Sequence, residues 1–331
     1  MHVLVTGGAG YVGANVVRAL LQAGHEVTVV DDLSSGHRAA VPEGVRLLVG
    51  RCGDHSLLDQ LGSRPDGVMH MAAKCSVGES MERPRGYYET NVSESLRLLD
   101  WVLRREVGWI IHSSTCSVYG IPRRLPLDES PTPQPINAYG ATKLAVDVAI
   151  GYYARAYDLG GTCMRYFNAA GAQPDGSLGE DKSPASNLIP RVLGVPLGIH
   201  ENVQIYGTDH DTSDGTGVRD YVHVIDLAAA HLAAMERLAA GEPGSTYNLG
   251  TETGSSVLEV LAIAREVTGH DIPANEVGAR SGDPAMLVAA SARARNELGW
   301  TPTRSDLRTI VEDAWRWHRA HPRGYEDGSR T

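Results

Sequence analysis

Short apolar runs punctuate the chain, separated by stretches whose hydrophobic residues recur at helical spacing. Val3-Leu4-Val5, Val27 to Val30, Val45 to Val49, Val68 to Met71, Trp109 to Ser113 and Thr162 to Phe167 read as buried strands, apolar almost throughout. Between them lie helical patterns such as Val16, Val17, Leu20 and Leu21. Strand and helix in alternation predict an α/β fold with a parallel sheet, because parallel neighbours must be joined by a crossover. After Asn168 the alternation lapses into a loop-rich segment, Ala169 to Pro184. It resumes as a strand at Tyr221 to Val224, a helix from Asp226 to Leu238 and a strand at Thr246 to Leu249. A larger domain is therefore expected over residues 1–168 and 221–250, a smaller, loop-rich one over 169–220 and 251–326, and a polar tail over 327–331.

The first strand runs into Thr6-Gly7-Gly8-Ala9-Gly10-Tyr11-Val12-Gly13 and a helix, and the second strand ends on Asp31. This is the opening half of a Rossmann-type, doubly wound dinucleotide-binding unit. Gly7 permits the tight turn, Gly10 lets the backbone approach a pyrophosphate, and Gly13 lets the helix pack closely on the strand. The helix N-terminus adds amide donors and a favourable dipole. Asp31 is placed to accept from ribose hydroxyls, and its charge repels a 2'-phosphate, which selects NAD over NADP. Glycine spacing alone is equally a structural turn; its setting between two strands, closed by an acid, decides for the dinucleotide. Met71-Ala72-Ala73-Lys74 follows the fourth apolar run, and small residues there leave room for a flat ligand, although close helix packing explains the alanines nearly as well.

Five prolines, Pro122, Pro126, Pro131, Pro133 and Pro135, prevent regular structure before Asn137-Ala138-Tyr139-Gly140-Ala141-Thr142-Lys143. Asn137 is a good N-cap for a helix through Leu144, Val148 and Tyr152. Tyr139 and Lys143 stand four apart and share its face. A free phenol titrates near ~10, and an adjacent ammonium favours the phenolate and draws that value down. On a surface helix such a pair arises often by chance. Here it follows His112-Ser113-Ser114-Thr115-Cys116-Ser117-Val118-Tyr119-Gly120, a hydroxyl-rich segment at a strand's carboxyl end.

Thr115, Tyr139 and Lys143 match the catalytic set of the short-chain dehydrogenases/reductases. With the glycine loop, Ser113 to Gly120, Val77-Gly-Glu-Ser80, Arg165-Tyr-Phe-Asn168, Gly217-Val-Arg-Asp-Tyr-Val-His-Val224 and Tyr247-Asn-Leu-Gly250, the chain resembles the extended members that act on nucleotide sugars, and among them the UDP-galactose (UDP-glucose) 4-epimerases, from residue 1 to about Tyr325. The resemblance implies tightly bound NAD touching Gly7, Gly10, Tyr11, Val12, Gly13, Asp31, Asp32, Leu33, Ala72, Ala73, Lys74, Asn91, Ser113, Tyr139, Lys143 and Tyr166. It implies a UDP-hexose held by Thr115, Tyr139, Phe167, Asn168, Asn187, Leu188, Gln204, Tyr206, Arg219, Tyr221, Arg280, Asp283 and Leu287. Forked, charge-assisted donors such as Arg219 and Arg280 suit a diphosphate, and Asn187 opens a helix at Leu188-Ile189-Pro190-Arg191. The implied chemistry is reversible inversion at C4: phenolate Tyr139 takes the 4-hydroxyl proton as C4 yields hydride, Thr115 holds the sugar oxygen, and Lys143 with the positive nicotinamide lowers the Tyr139 pKa. A homodimer joined through the helices around Tyr88 to Arg104 and Tyr139 to Tyr157 is also implied.

A formal charge of -10 over 331 residues, 42% of them hydrophobic, opposes nonspecific binding to nucleic acid or anionic membranes. Cys52, Cys75, Cys116 and Cys163 lack Cys-x-x-Cys spacing, so neither zinc site nor disulfide framework is expected. Asp209-His210-Asp211 with Asp214 lacks the alternate ligands and distal glutamate of a calcium loop, and no metal is expected. His2-Val3-Leu4-Val5 reads at once as a strand, so no signal peptide is expected, and with no apolar run of membrane-spanning length a cytoplasmic protein is expected. A nucleotide-sugar 4,6-dehydratase needs a carboxylate pair where Cys116 and Ser117 stand; a UDP-glucuronate 4-epimerase is the nearer rival, and an NAD(H)-sensing regulator is the reading from another class. Arg51 replaces an Asp that usually touches adenine, Cys75 stands where some relatives carry Lys, and Leu287 where some carry Tyr.

Overall fold

A computed structural model of the chain describes residues 1–181, 187–279 and 284–325. Its centre is a seven-stranded sheet in which every pairing is parallel. In chain order the strands are β1 (His2–Thr6), β2 (Glu26–Asp31), β3 (Arg46–Val49), β4 (Gly67–His70), β5 (Trp109–Thr115), β6 (Gly160–Tyr166) and Thr246–Leu249. In space they run Thr246–Leu249, β6, β5, β4, β1, β2, β3. The order reverses between β1 and β4, so the loops leaving those two carboxyl ends diverge and open a crevice.

Side-chain alternation explains why these strands are apolar throughout. Val3, Val5, Val27, Val29, Met69, Ile111 and Met164 face one layer, formed by α1 (Tyr11–Gln22) and the Val224–Ala239 helix. Leu4, Val30, Leu48, Val68, Ile110 and Cys163 face the other, formed by the Glu94–Arg104 and Ala138–Tyr157 helices. A strand covered on both sides has no polar face, and each fully buried Val or Leu contributes about 1.5–3 kcal/mol.

A second core gathers Ile189, Val192, Val203, Ile205, Val260, Leu261, Ile310 and Val311. Tyr221–His223 forms a strand as the sequence predicts, but it pairs with Asn168–Ala170 alone and stays outside the large sheet. The reason is packing: Val222 points into the first core, while Ala170 and Tyr221 point into the second, so this short pair stitches the two cores together. Among the described residues no helix is long and apolar enough to cross a membrane.

Candidate active site

The crevice is built first from glycines. Gly7 sits at φ +73, and a Cβ there would lie 2.5 Å from the Ala72 backbone nitrogen. The β1 loop therefore presses directly on the segment leaving β4, which brings Gly7 and Ala72 to one spot. A Cβ on Gly13 would stand 2.1 Å from the Gly7 carbonyl oxygen. Gly10 is the N-cap of α1 and has no side chain to cap it, so the first-turn amides, those of Tyr11 and Val12 included, point into the crevice as anion donors. Asp31, buried at the end of β2, accepts from Ala9 N (3.0 Å) and Leu33 N (2.9 Å), and burial raises its pKa. Those bonds orient the carboxylate at the lip of the cradle. Glycine cradle, amide donors and oriented acid fit the pyrophosphate and ribose of a dinucleotide.

The other cofactor residues divide between the crevice and its supports. Tyr11 donates its hydroxyl to the Gly171 carbonyl (2.7 Å), tying α1 to the loop after Asn168–Ala170. Asp32 accepts from Ser34 N (2.9 Å) and so shapes the turn holding Leu33 at φ +57. Asn91, in a π-helical turn over Tyr88–Ser93, accepts from Lys74 N (2.8 Å) and donates to Lys74 O (3.0 Å) and Thr142 Oγ1 (3.0 Å). Its side chain clamps the main chain after Ala72 and Ala73 to the helix carrying Tyr139. The exposed Lys74 ammonium stands 3.9 Å from Glu79. Arg51 turns away to Glu94 (3.7 Å) and Glu89 (3.9 Å), so a paired guanidinium occupies the position of the usual acid.

Tyr139, Lys143 and Thr115 converge where β5 ends. Asn137 caps the Ala138–Tyr157 helix by accepting from Gly140 N (2.8 Å). A Cβ on Gly140 would meet the Ser117 carbonyl at 2.5 Å, so glycine is what lets this turn lie against the end of β5. Lys143 donates to the Ser113 carbonyl (2.7 Å), and the Ser113 hydroxyl meets His231 Nε2 (3.1 Å) and hydrogen-bonds Tyr166. Thr115 accepts from Ser117 N (3.2 Å) and lies close enough to the Tyr139 hydroxyl to lower its pKa. Burial drives Tyr139 well above its ordinary pKa and Lys143 down to about 8. In the chain alone, the neighbouring ammonium therefore does not outweigh burial at Tyr139. In a dry site the loss of water penalises both charged forms, and Thr115 is the neighbour that opposes it at Tyr139.

On the substrate side, Phe167 and Leu287 join Cys116, Val118, Tyr119, Leu127 and Ala289 in one apolar cluster beside Thr115. Arg219 lies on a short strand paired with Leu287, close enough to Cys116 to act on its thiol. Asn168 and Tyr221 are partners in the two-stranded pair. Phe167, Leu287 and Arg219 thus gather around Cys116, next to Thr115, while Asn168 and Tyr221 lie where the two cores join. Asn187 is the N-cap of the Leu188–Leu193 helix, yet its side chain makes no cap and donates to the buried Glu180 (2.6 Å). Gln204 and Tyr206 bond each other (2.6 Å) on the Val203–Tyr206 strand. Arg280 and Asp283 lie outside the described residues. Asp214 of the acidic loop accepts from Thr216 N (2.9 Å) and from Ser256, which uses it as a loop brace.

Sequence reasoning missed what lies beneath the pair. His70 and His112 stack with centroids 5.3 Å apart, and both are held neutral by burial, His70 at about 3. Asp147, one turn beyond Lys143, pairs with Arg165 at 2.9 Å in the interior. The signal was available in Asp147's place four residues after Lys143, on the same helix face.

Residues 3–250 match the NAD dependent epimerase/dehydratase family. A UDP-glucose 4-epimerase of Corynebacterium glutamicum is 49% identical over 317 residues, 95% of each chain. The structure of a UDP-glucose 4-epimerase from Brucella ovis in complex with NAD superposes with TM-score 0.92 at 40% identity, covering 96% of this chain and 98% of that one. One from Bifidobacterium longum, in complex with NAD+ and UDP, gives 0.93 at 36%, covering 98% and 100%.

Proposed function

Since the chain belongs to the NAD dependent epimerase/dehydratase family, we propose that it interconverts UDP-galactose and UDP-glucose by inverting C4 of the hexose, in the cytoplasm, with NAD held throughout the cycle. The observation that carries this reading is the convergence of Thr115, Tyr139 and Lys143 at the end of β5, across the crevice from the glycine cradle. NAD, when bound, supplies a hydride acceptor that is also the donor for the return step, and its positive ring adds the charge that Tyr139 needs. Residues 1–168 with 221–250 hold it, through Gly7, Gly10, Gly13, Asp31 and the amides of Tyr11 and Val12. Residues 169–220 with 251–326 hold the nucleotide sugar, with Arg219 on the diphosphate. Tyr139 takes the proton of the 4-hydroxyl, Thr115 keeps the sugar oxygen in place, and Lys143 holds the cofactor ribose and compensates the phenolate. Binding through the UDP end retains the 4-keto sugar while the hexose turns over to present its other face.

The experiment is direct. Protein purified without added nucleotide is denatured and its released NAD measured, and intact protein is incubated with UDP-galactose, UDP-N-acetylgalactosamine or UDP-galacturonate. Stoichiometric NAD and conversion of UDP-galactose are expected. Absence of both removes the reading, and turnover of UDP-galacturonate alone transfers it to the glucuronate 4-epimerases. Leucine at 287 leaves more room than tyrosine, so UDP-N-acetylgalactosamine is also expected to react. Leu287→Tyr should cut that reaction at least about tenfold and leave UDP-galactose within roughly threefold, the range a purely steric pocket change commands. Rejection of the N-acetyl sugar by the unaltered protein refutes this part.

We further propose a homodimer. Tyr88, Leu96, Val148 and Tyr152 are exposed apolar residues on the two helical stretches implied in pairing. Light scattering should give twice the chain mass at micromolar concentration, and Val148→Asp with Tyr152→Asp should give the monomer mass. A monomeric parent protein ends this proposal.

A further inference from the structure

Lys143 poses an electrostatic problem that Ser113 does not solve. An ammonium this deeply buried needs an opposite charge nearby, and a carbonyl dipole is a partial substitute. The titratable groups around it are Tyr139 and Asp147 on its own helix, His112 from β5, His70 from β4, Cys163 and Tyr166 from β6, Cys52 after β3 and Cys75 after β4. Burial keeps both histidines neutral, and it pushes Cys52, Cys163 and Tyr166 upward, to about 12 for Cys52 and Tyr166. Asp147 is the carboxylate among them.

That carboxylate is itself supported. Its Oδ2 accepts from Arg165 Nε (2.9 Å) and Ser114 Oγ (3.0 Å). Arg165 reaches the Tyr119 hydroxyl (3.0 Å) and lies 5.1 Å from its ring centroid. Tyr119 donates to Asn248 Oδ1 (2.7 Å), and Asn248 donates to the Leu127 carbonyl (2.9 Å). Burial raises the Asp147 pKa while Arg165 and Ser114 lower it, and the guanidinium remains charged whatever the pH. The other oxygen, Oδ1, has no hydrogen-bond partner among the described residues and stands 3.9 Å from His112 Nε2. Tyr119, Arg165 and Asn248, one from each of the motifs Val118-Tyr119-Gly120, Arg165-Tyr166-Phe167-Asn168 and Tyr247-Asn248-Leu249-Gly250, thus supply one buried chain ending one turn from Lys143.

We propose that Asp147 is a positioning residue of the reaction: from one turn along the helix it keeps Lys143 charged, and the Arg165–Tyr119–Asn248 chain keeps its carboxylate ionised and aimed. Burial pulls Lys143 down to about 8, and Asp147 is the largest influence pushing back. Lys143 is thus protonated below that pH and loses its charge above it, so activity should fall on the alkaline side near it.

The inference rests on the role given to Lys143 above, and the test separates the two. The kcat of holoenzyme with UDP-galactose is measured from pH 5.5 to 10 for the parent, Asp147→Asn, Asp147→Glu and Ser114→Ala, with NAD content and KM recorded for each. In Asp147→Asn the alkaline limb should move down by about one unit or more, the shift typical of losing a nearby opposite charge. At pH 8 kcat then falls about fivefold, since a one-unit shift takes the protonated fraction from about one half to about one tenth, and at pH 6 it stays within about threefold. Asp147→Glu should restore the limb, and Ser114→Ala should move it part of the way even if the Asn variant does not fold. A merely structural role lowers activity evenly across pH. If the parent is active and the limb stays fixed in every folded variant, the positioning role is wrong and the function stands; a parent without NAD or turnover takes both down.

Discussion

Replacing Tyr139 with Phe is expected to lower kcat by about 10³–10⁴-fold while the purified protein keeps its NAD, because the variant removes the group that takes the proton and little else. Phenylalanine fills the same buried volume. Burial holds the phenol protonated in the chain alone, so the proposed role of Tyr139 as base requires the charge that the cofactor ring would add to that of Lys143. That arrangement makes the rate dependent on one oxygen atom. The measurement is single-turnover conversion of UDP-galactose beside nucleotide extraction. A variant with near-parental kcat would show that another group takes the proton, and one that loses NAD would move Tyr139's main role to binding.

Much of the larger domain was legible because its rules are local. Strands buried on both faces must be apolar throughout, a turn and helix start packed backbone against backbone, as at Gly7 and Gly13, must be glycine, and an Asn before Ala138 caps by short-range geometry. Each of these is written in neighbouring residues. What the sequence hid depends on partners far away along the chain. The strand at Tyr221–His223 is a strand by propensity, but whether it joins the large sheet is decided by where Val222 and Tyr221 point after folding. Asn187 has the composition of a cap, and the buried Glu180 claims its amide instead. The upward push that burial exerts on Tyr139 in the chain alone was hidden for the same reason. Spacing puts an ammonium nearby, whereas the loss of water comes from the whole surrounding fold, and burial is the larger effect.

The Asn91 clamp carries the same lesson into the cofactor side. Its side chain is fully engaged with Lys74 and Thr142, so it serves the crevice by holding the floor after β4 against the helix that bears Tyr139 and Lys143. The segment after Ala72 and Ala73, on which Gly7 presses, is therefore connected to the helix of Tyr139 and Lys143 through the Asn91 amide and the Thr142 hydroxyl.

That connection makes Gly13 the sharpest test of the cofactor site. Gly13→Ala adds one methyl group, and its carbon would lie 2.1 Å from the Gly7 carbonyl oxygen and 2.9 Å from the Gly8 Cα. Both obstacles are backbone, so α1 must slide outward or the loop must flatten. Gly7 cannot absorb the change cheaply, since it is held at φ +73 with Ala72 against it. Overpacking of this kind typically costs about 1–3 kcal/mol, and the displaced amides no longer converge on one anion. The NAD carried through purification should fall at least about tenfold, since each 1.4 kcal/mol lost from binding is a factor of ten. Activity should fall in proportion and return in part with millimolar NAD, because Thr115, Tyr139 and Lys143 remain in place. Extraction of the denatured variant gives the content, and assays with and without added NAD give the rescue. If Gly13→Ala purifies with a full complement of NAD, the pyrophosphate does not sit on this helix, and the cradle formed by Gly7, Gly10 and Gly13 is only a tight turn.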